Sequence, residues 1–553
     1  MFETLLVYAS ALFLAWPLGH YLAAVMSGRP SRCDRLFAWV ERPLYALVGA
    51  DASKPMNAVQ YLVAFAISNG VLGLGAFLVF RFQAELPLNP NAVPNMSWDL
   101  ALHTAISFLT NTNQQHYSGQ AQLSYLAQMA GVVGLQFITP LMGLALVAAT
   151  LRLLCAQGSA GNFWADLIRP AVRVMLPLLV VVSVVLVSQG VPATLEGGPV
   201  AQVLDESATP AEQKIPLGPV APMVAIKQLG TNGGGWYGPN SAVALESPTP
   251  LSNLVETIAL ILIPMAIVFM IGPFTGRRKF TALVLGVMLT MSVVSTACSL
   301  MAEQFGPAVP AGSVMEGKEQ RFTVQSSALW SSLTTQTSNG SVNGMHDSLE
   351  PLTGLVAMVN MLINSVWGGV GCGLSQFLVY LLLAVFLSGL MTGRTPELFG
   401  RKIEVSEVRW LAVLVLLQPI VILGFTAAAM GNPEWTGNSN PSFHGLSQVF
   451  YEYTSAFANN GSGFEGLGDA TVWWNLSTAA VLILGRYPAL MIPLWIAASL
   501  SAKRAAPEGE GALRVESVTM ALTLMAVILI LTLLQFMPVL VLGPVAEHFS
   551  LIQ

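Results

Sequence analysis

The chain has 553 residues, of which 54% are hydrophobic and only 10% are charged. Soluble domains usually have about 25% charged residues, so this composition excludes an ordinary soluble protein and indicates a polytopic membrane protein. The formal net charge of −5 leaves no basic footprint for nucleic acid, and the four widely scattered cysteines predict neither a disulfide framework nor a metal site.

Ten apolar runs are long enough to cross a bilayer, which takes about 20 residues. They are predicted near residues 3–26, 57–81, 121–151, 174–192, 251–273, 280–301, 352–391, 410–430, 473–500 and 515–541. Most of the 24 Lys and Arg residues fall in the loops that follow the odd-numbered spans. Because basic residues are retained on the cytoplasmic side, both termini are expected outside.

Four related polar clusters lie in loops between the apolar runs. In chain order they are LTNTN (Leu109–Asn113), LGTNGGG (Leu229–Gly235), TTQTSNGS (Thr334–Ser341) and FANNGS (Phe457–Ser462). Alignment on the shared Asn places Asn111, Asn232, Asn339 and Asn460 in register, at spacings of 121, 107 and 121 residues. A single Asn-Gly pair is a common surface turn, but four copies at near-constant spacing indicate a fourfold internal repeat.

The clusters are predicted to form an ion filter on the outer side. Each follows a short segment that is expected to be a half-span helix, namely 98–109, 222–229, 326–335 and 444–456. A ring of carbonyl oxygens can replace the water around a cation, and glycine allows the backbone angles that such a ring needs. Gly233, Gly340 and Gly461 follow the aligned Asn, whereas Thr112 stands there in the first cluster. We therefore expect an approximately fourfold ring with an irregular first quadrant.

The predicted fold is an all-α membrane protein with ten transmembrane helices. Four repeats of membrane helix, pore helix, filter and membrane helix surround a pseudo-fourfold pore, with one extra helix at each end. The predicted units are 1–56 (first span and basic cytoplasmic loop), 57–155, 156–275, 276–404 and 405–503 (pore repeats one to four), and 504–553 (last span and outer C-terminus).

Two further features lie inside predicted spans. Arg486 is near the middle of span nine, where a charge costs about 2.5 to 3.5 kcal/mol and usually faces a cavity or partner. It is either paired structurally with a buried polar group or acts as an electrostatic barrier below the filter. The run GGVGCG (Gly368–Gly373) predicts a break in span seven, because glycine weakens helices. It is either a close-packing surface or a mobile loop that closes the pore.

No catalytic constellation is found in the sequence. It contains no DKTG phosphorylation sequence, no HExxH pattern and no GxSxG elbow. The chain is therefore predicted to hydrolyse nothing by itself, which argues against an intramembrane enzyme.

Five motifs carry a resemblance that covers nearly the whole chain. They are FLTNTNQQHYSGQ (Phe108–Gln120), KQLGTNGGGWYGPNSA (Lys227–Ala242), TQTSNGSVNGMHDS (Thr335–Ser348), GLMTGRTPELFGRKIE (Gly389–Glu404) and YEYTSAFANNGSGFEGL (Tyr451–Leu467). In these motifs the chain resembles the potassium-translocating A subunits of Kdp-type P-type ATPases, within a wider superfamily of fourfold potassium transporters.

The resemblance implies a bacterial inner-membrane subunit that binds K⁺ at the outer filter. It also implies a catalytic B subunit that hydrolyses ATP, small C and F subunits, and an ion route sideways into the B subunit through an internal tunnel. K⁺ would be a transported ligand, and no other cofactor is expected. The implied filter positions are Asn111, Thr112 and Asn113; Thr231, Asn232 and Gly233; Ser338, Asn339 and Gly340; and Asn459, Asn460 and Gly461.

Other positions follow from the same resemblance. Similar proteins have an Arg at the position of Arg486, and a loop that matches Gly368, Gly369, Gly371 and Gly373. No role is assigned to Glu465. The alternative is a K⁺ or Na⁺ channel-like subunit of the Trk or Ktr kind, gated by a cytosolic nucleotide-binding partner. Such a subunit would lack the two extra spans and the specific motifs.

Overall fold

The computed structural model describes residues 2–30, 34–155, 158–204, 209, 211–306, 315–506 and 514–552, so both terminal residues lie outside it. The helices, in chain order, are α1 (Phe2–Met26), α2 (Asp34–Leu47), α3 (Ala58–Arg81), α4 (Trp98–Leu109), α5 (Gly119–Gln122), α6 (Gly134–Leu154), α7 (Phe163–Pro170), α8 (Leu176–Ser188), α9 (Val220–Leu229), α10 (Pro250–Thr275), α11 (Arg278–Gln304), α12 (Val324–Gln336), α13 (Pro351–Ile363), α14 (Cys372–Thr392), α15 (Val405–Met430), α16 (Ser442–Ala458), α17 (Val472–Ser501), α18 (Val518–Leu540) and α19 (Ala546–Ile552). Two short antiparallel hairpins pair β1 (Val200–Gln202) with β2 (Glu212–Lys214), and β3 (Glu397–Leu398) with β4 (Arg401–Lys402).

Ten helical spans in the described residues are long and apolar enough to cross a membrane, as the sequence predicted. Wide π-helical turns join some helices into longer spans: Ala127–Val133 leads into α6, Ala171–Met175 joins α7 to α8, and Val541–Val545 joins α18 to α19. The fourth span begins at Phe163, earlier than predicted, because the wide turn joins α7 to α8. Asn162 caps the start of α7 by accepting a hydrogen bond from the backbone N–H of Ala165.

Four short helices, α4, α9, α12 and α16, lie where the half-span helices were predicted. Each packs between the helices that precede and follow it in its unit: α4 contacts α3 and α6, α9 contacts α8 and α10, α12 contacts α11 and α13, and α16 contacts α15 and α17. Almost every residue of α9 and α12 is buried. Enclosure by protein explains how these short helices end at membrane depth, where backbone exposed to lipid is not tolerated.

The seventh span is broken, as the glycine run predicted. Helix α13 ends at Ile363, its capping residue Asn364 has a positive φ of 48°, and α14 begins at Cys372. Gly368 and Gly371 lie in the connecting loop with φ of 61° and 79°. Gly373 lies outside this loop, in the first turn of α14.

The two terminal spans lie outside the ring of short helices. Helix α1 packs along α10, and α18 packs against α14 and α13. By contrast, α6 and α10 are largely buried, while α3 and α15 expose apolar side chains such as Val63 and Ile420. The polar filter segments are thus enclosed by inner helices, with apolar surface outside.

Candidate selectivity filter

Each short helix ends in a three-residue segment with an unusual backbone. These filter triplets are Asn111-Thr112-Asn113, Thr231-Asn232-Gly233, Ser338-Asn339-Gly340 and Asn459-Asn460-Gly461. In every triplet the first and third residues have positive φ, with values of 61° and 56°, 49° and 58°, 50° and 86°, and 54° and 99° in chain order. The four segments therefore share one backbone pattern that few non-glycine residues adopt.

Helix-terminal hydrogen bonds fix the same register in all four triplets. The N–H of the middle residue donates to the carbonyl oxygen five residues earlier: Thr112 to Ser107 at 3.0 Å, Asn232 to Lys227 at 3.2 Å, Asn339 to Thr334 at 3.0 Å, and Asn460 to Ser455 at 2.9 Å. The alignment on Asn111 is consequently wrong by one residue. Thr112 is the counterpart of the other three Asn residues, and Asn113 occupies the glycine position that was expected for Thr112.

Three of the four triplets need glycine at the third position because neighbouring triplets touch there. A Cβ atom on Gly233 would lie 1.9 Å from the carbonyl oxygen of Asn339, and one on Gly340 would lie 1.9 Å from that of Asn460. On Gly461 it would lie 2.3 Å from the carbonyl oxygen of Thr112. These three contacts join the second triplet to the third, the third to the fourth, and the fourth to the first. The Asn113 amide, which donates to the Gly233 carbonyl, joins the first triplet to the second and closes the ring.

Asparagine amides bind neighbouring quadrants together. Asn339 Nδ2 donates to the Lys227 carbonyl at 2.9 Å, and Asn460 Nδ2 donates to the Thr334 carbonyl at 2.8 Å. Asn232 instead donates to Asn111 Oδ1 at 3.1 Å. The first quadrant therefore departs from the others in its side chains, while its backbone follows them.

The irregular first quadrant uses a side chain where the others use glycine. The Asn113 amide donates to the carbonyl oxygen of Gly233. Asn111 Oδ1 also accepts from Thr139 Oγ1 of α6 at 2.9 Å. These bonds hold the two asparagines in their left-handed conformations, which Asn tolerates better than most residues.

The loop between α13 and α14 lies directly against the inner ends of the triplets. The N–H of Val370 donates to Thr231 Oγ1 at 2.9 Å, and Ser338 Oγ donates to Asn364 Oδ1 at 2.6 Å. A Cβ atom on Gly371 would lie 2.2 Å from the carbonyl oxygen of Gly143 in α6. The broken helix thus covers the filter from the side opposite its mouth.

Arg486 lies next to this loop and is only 3% exposed. Its Nη2 would be 3.3 Å from a Cβ atom on Gly143, and its Nη1 3.9 Å from one on Gly369. Gly369 is in turn close to Thr231 and Ser338. Among the described residues no carboxylate lies within ion-pair distance of the guanidinium. The buried thiol of Cys372 lies beside it, so the structural and the barrier interpretations of Arg486 both stay predictions.

A cavity of about 480 Å³ opens above the third residues of the triplets. Its wall includes Asn113, Gly340 and Gly461, together with side chains that the filter motifs did not single out: His116, Glu452, Glu465 and Asp469. His116 follows the first triplet, Glu452 is in α16, and Glu465 and Asp469 follow the fourth triplet. Only these positions, beside a triplet or in a pore helix, hint at a shared location.

Glu465, to which the sequence assigned no role, lies in the wall of this cavity. Its Oε2 accepts a hydrogen bond from the N–H of Asp347 at 3.0 Å, and its side chain is exposed. The carboxylate of Asp469 is partly exposed and lies 4.0 Å from His116 Nε2. The mouth is therefore lined by several carboxyl groups.

Fold and site together define a fourfold pore-loop membrane protein, in which four re-entrant helices present one ring of backbone. Comparison with known proteins narrows this class. The family described as "Potassium-transporting ATPase A subunit" matches residues 5–549, and the chain belongs to that family.

Curated relatives agree with this assignment, and a solved structure is similar in fold. The chain is 45% identical to the potassium-transporting ATPase potassium-binding subunit of Gloeobacter violaceus, over 96% of this chain and 95% of the relative. It is 42% identical to the subunit of the same name from Pseudomonas putida, over 100% and 99%. The fold is similar to the potassium transporter TrkH from Vibrio parahaemolyticus, with a TM-score of 0.53 and 14% identity over 90% of this chain and 98% of that one.

Proposed function

We propose that this protein is the channel-like, potassium-binding subunit of an ATP-driven potassium uptake complex. The observation that carries the proposal is the closed ring of four triplets, each with the same left-handed backbone angles. The relatives named as potassium-binding subunits of a potassium-transporting ATPase support the choice of ion and of energy source.

In this proposal the backbone carbonyls of the triplets replace the water around K⁺. Gly233, Gly340 and Gly461 allow adjacent segments to approach closely enough to act on one ion. The carboxyl groups at the mouth, among them Glu452 and Asp469, raise the local concentration of cations.

Below the filter, Arg486 and the loop with Gly368, Gly369 and Gly371 are assigned to control of ion passage. A buried guanidinium repels a cation that moves straight inward. The loop hydrogen-bonds to Thr231 and Ser338 through its own backbone and Asn364, so its movement would alter the inner end of the filter. Gly373, in the first turn of α14, would be the hinge of that movement.

The rest of the assembly follows from the same proposal. ATP is hydrolysed by a P-type B subunit, accompanied by small C and F subunits, and this chain has no catalytic role. The complex lies in the bacterial inner membrane with both termini of this chain outside. The pore repeats are 57–155, 156–275, 276–404 and 405–503, and K⁺ passes from the filter to the B subunit.

The test is purification of this chain from native membranes in mild detergent, followed by mass spectrometry and K⁺ uptake measurements in proteoliposomes. A stoichiometric P-type ATPase subunit and uptake that needs ATP hydrolysis are expected. A soluble nucleotide-binding ring protein with passive, nucleotide-gated K⁺ flux would overturn the pump assignment in favour of a Trk or Ktr type of subunit.

A further inference from the structure

The wall of the mouth cavity contains one histidine and two carboxylates from distant parts of the chain. His116 Nε2 lies 3.4 Å from Glu452 Oε1 and 4.0 Å from Asp469 Oδ2. One ligand atom from each residue falls within 4.8 Å of the other two. Such a set resembles the protein half of a metal site more than a chance surface group, since His116 and Glu452 are almost fully buried.

We propose that His116, Glu452 and Asp469 bind a divalent transition-metal ion of the Zn²⁺ class at the mouth of the filter. Zn²⁺ takes imidazole nitrogen and carboxylate oxygen at about 2.0 to 2.2 Å, which puts neighbouring tetrahedral ligands about 3.3 to 3.6 Å apart. The pair at 3.4 Å meets this spacing, and the pair at 4.0 Å needs a shift of a few tenths of an ångström. The fourth position faces the cavity and is left to water.

The histidine is oriented for this task by its second nitrogen. His116 Nδ1 lies 2.7 Å from Asn475 Oδ1, and the Asn475 amide is itself fixed because its Nδ2 donates to Asp99 Oδ2 at 2.8 Å. An amide oxygen only accepts, so Nδ1 carries a proton and Nε2 is the nitrogen that faces the carboxylates. A metal ion would take the place of any proton on Nε2, since metal binding releases protons from its ligands. Nε2 is buried and has no hydrogen-bond partner among the described residues. Metal-binding histidines usually have such an outer partner.

The ring plane is also held in place. His103 of α4 stacks on His116, with ring centroids 3.9 Å apart and an interplanar angle of 13°. Two carboxylates and a neutral imidazole balance the charge of a divalent cation, and the cavity gives it a path from outside. Charge, orientation and access therefore all suit a cation.

His444 provides a matched contrast within the same chain. It also has two carboxylate neighbours, but its Nε2 pairs with Asp347 at 2.9 Å and its Nδ1 with Glu547 at 2.7 Å. Both nitrogens are thus occupied, one by each carboxylate, and no lone pair is left for a metal. A histidine between two acids is not by itself a metal site.

Bound metal would affect the filter, because the same cavity is lined by Asn113 and Gly461. A divalent charge there opposes the entry of K⁺. This consequence rests on the proposed function, whereas the metal site itself does not, since Zn²⁺ binding is measured without K⁺.

The experiment titrates the purified full-length protein with ZnCl₂ in K⁺-free buffer against a competing chelating dye, and records the visible spectrum of added Co²⁺. We expect one Zn²⁺ per chain and a Co²⁺ spectrum of four- or five-coordinate metal. His116→Gln and Asp469→Asn should weaken Zn²⁺ binding at least about tenfold, and Asn475→Ala about 10- to 100-fold. His444→Gln should leave it unchanged.

Less than one Zn²⁺ per chain, a six-coordinate Co²⁺ spectrum, or equal affinity in His116→Gln would overturn the proposal and leave an ion-paired network only. The stoichiometry and spectrum of the unmutated protein decide the matter even where a variant folds poorly. Zn²⁺ should also weaken K⁺ binding in the unmutated protein and not in His116→Gln. Zn²⁺ binding without this effect would refute the link to the filter while the metal site stands.

Discussion

The first pore unit (α3 to α6) and the third (α11 to α14) share the backbone of the filter triplet and differ in what surrounds it. The first has Asn113 at the third position of its triplet and continues into an unbroken span, Ala127–Leu154. The third has Gly340 there, and its second helix is broken between Ile363 and Cys372. Fourfold geometry is thus retained at the ring itself and abandoned just below it.

The largest effect is expected from Gly340→Ala, which tests whether the third unit needs glycine where the first has asparagine. The left-handed backbone costs alanine about 1–2 kcal/mol, and its Cβ would clash with the Asn460 carbonyl at 1.9 Å. Since about 1.4 kcal/mol is a factor of ten, K⁺ affinity should fall about 10- to 100-fold or more. Calorimetry of the purified protein with K⁺ and Na⁺ measures this, and discrimination against Na⁺ should shrink.

Gly286→Ala is the control, because a Cβ at that position of α11 meets nothing within 4 Å. It should bind K⁺ normally. Unchanged affinity and selectivity in Gly340→Ala would argue against a filter role for the third triplet.

Gly371→Ala acts where the broken helix of the third unit meets the unbroken helix of the first. The new Cβ would lie 2.2 Å from the carbonyl oxygen of Gly143, at a φ of 79°, so the loop must move away from α6. Backbone strain of about 1–3 kcal/mol at this loop should reduce ATP-driven uptake about tenfold and change K⁺ affinity much less. Uptake in proteoliposomes and K⁺ binding are compared, and an equal loss of both along with protein abundance would contradict a gating role.

Arg486→Gln tests the charge between the two units, beside Gly143 of the first and Gly369 of the third. Without the buried cation, passive K⁺ leak should rise several-fold and the coupling of ATP hydrolysis to uptake should fall, since a buried charge opposes cations strongly. Ion flux in proteoliposomes without ATP is the measurement, with Arg486→Lys as the charge-retaining control. A Gln variant with normal affinity and coupling would show that Arg486 has a structural role.

Asn113→Gly makes the first unit more like the third. Glycine adopts the φ of 56° readily, but the hydrogen bond from the Asn113 side-chain amide to the Gly233 carbonyl is lost. One hydrogen bond contributes about 0.5–1.5 kcal/mol, so K⁺ affinity should fall by about tenfold at most. A loss as large as that of Gly340→Ala would mean that the Asn113 side chain itself determines ion binding.

The smallest effect concerns pH and the clamp formed by His444 with Asp347, just after the third triplet, and Glu547 near the C-terminus. The carboxylates of Asp347 and Glu547 raise the pKa of His444 to about 9 against the effect of burial, so the clamp stabilises the fold fully below the usual pKa of about 6.5 and is lost as pH rises through about 9. Thermal stability should therefore fall over this range more in the unmutated protein than in His444→Gln. Parallel curves for the two proteins would show that the clamp contributes nothing.

Much of the fold could be predicted because it depends on local composition. Ten spans, four half-span helices and the break at the glycine run follow from apolar length and from Gly residues. The register of the first triplet was predicted wrongly. Asn111 was aligned with the Asn residues of the other triplets because the residue type is the same, whereas the backbone hydrogen bonds make Thr112 their counterpart. The mouth cluster of His116, Glu452 and Asp469 was not predicted, since its members meet only through the tertiary fold.

The closed ring also has a consequence for the order in which the molecule can be completed during synthesis. The carbonyl of Thr112, near the start of the chain, is covered by Gly461 of the last triplet. Contacts between such distant segments form late, since the intervening chain must first be brought together. A nascent chain that already holds three triplets therefore still has an open gap between the third and the first. The ring closes in one step, when the fourth triplet arrives.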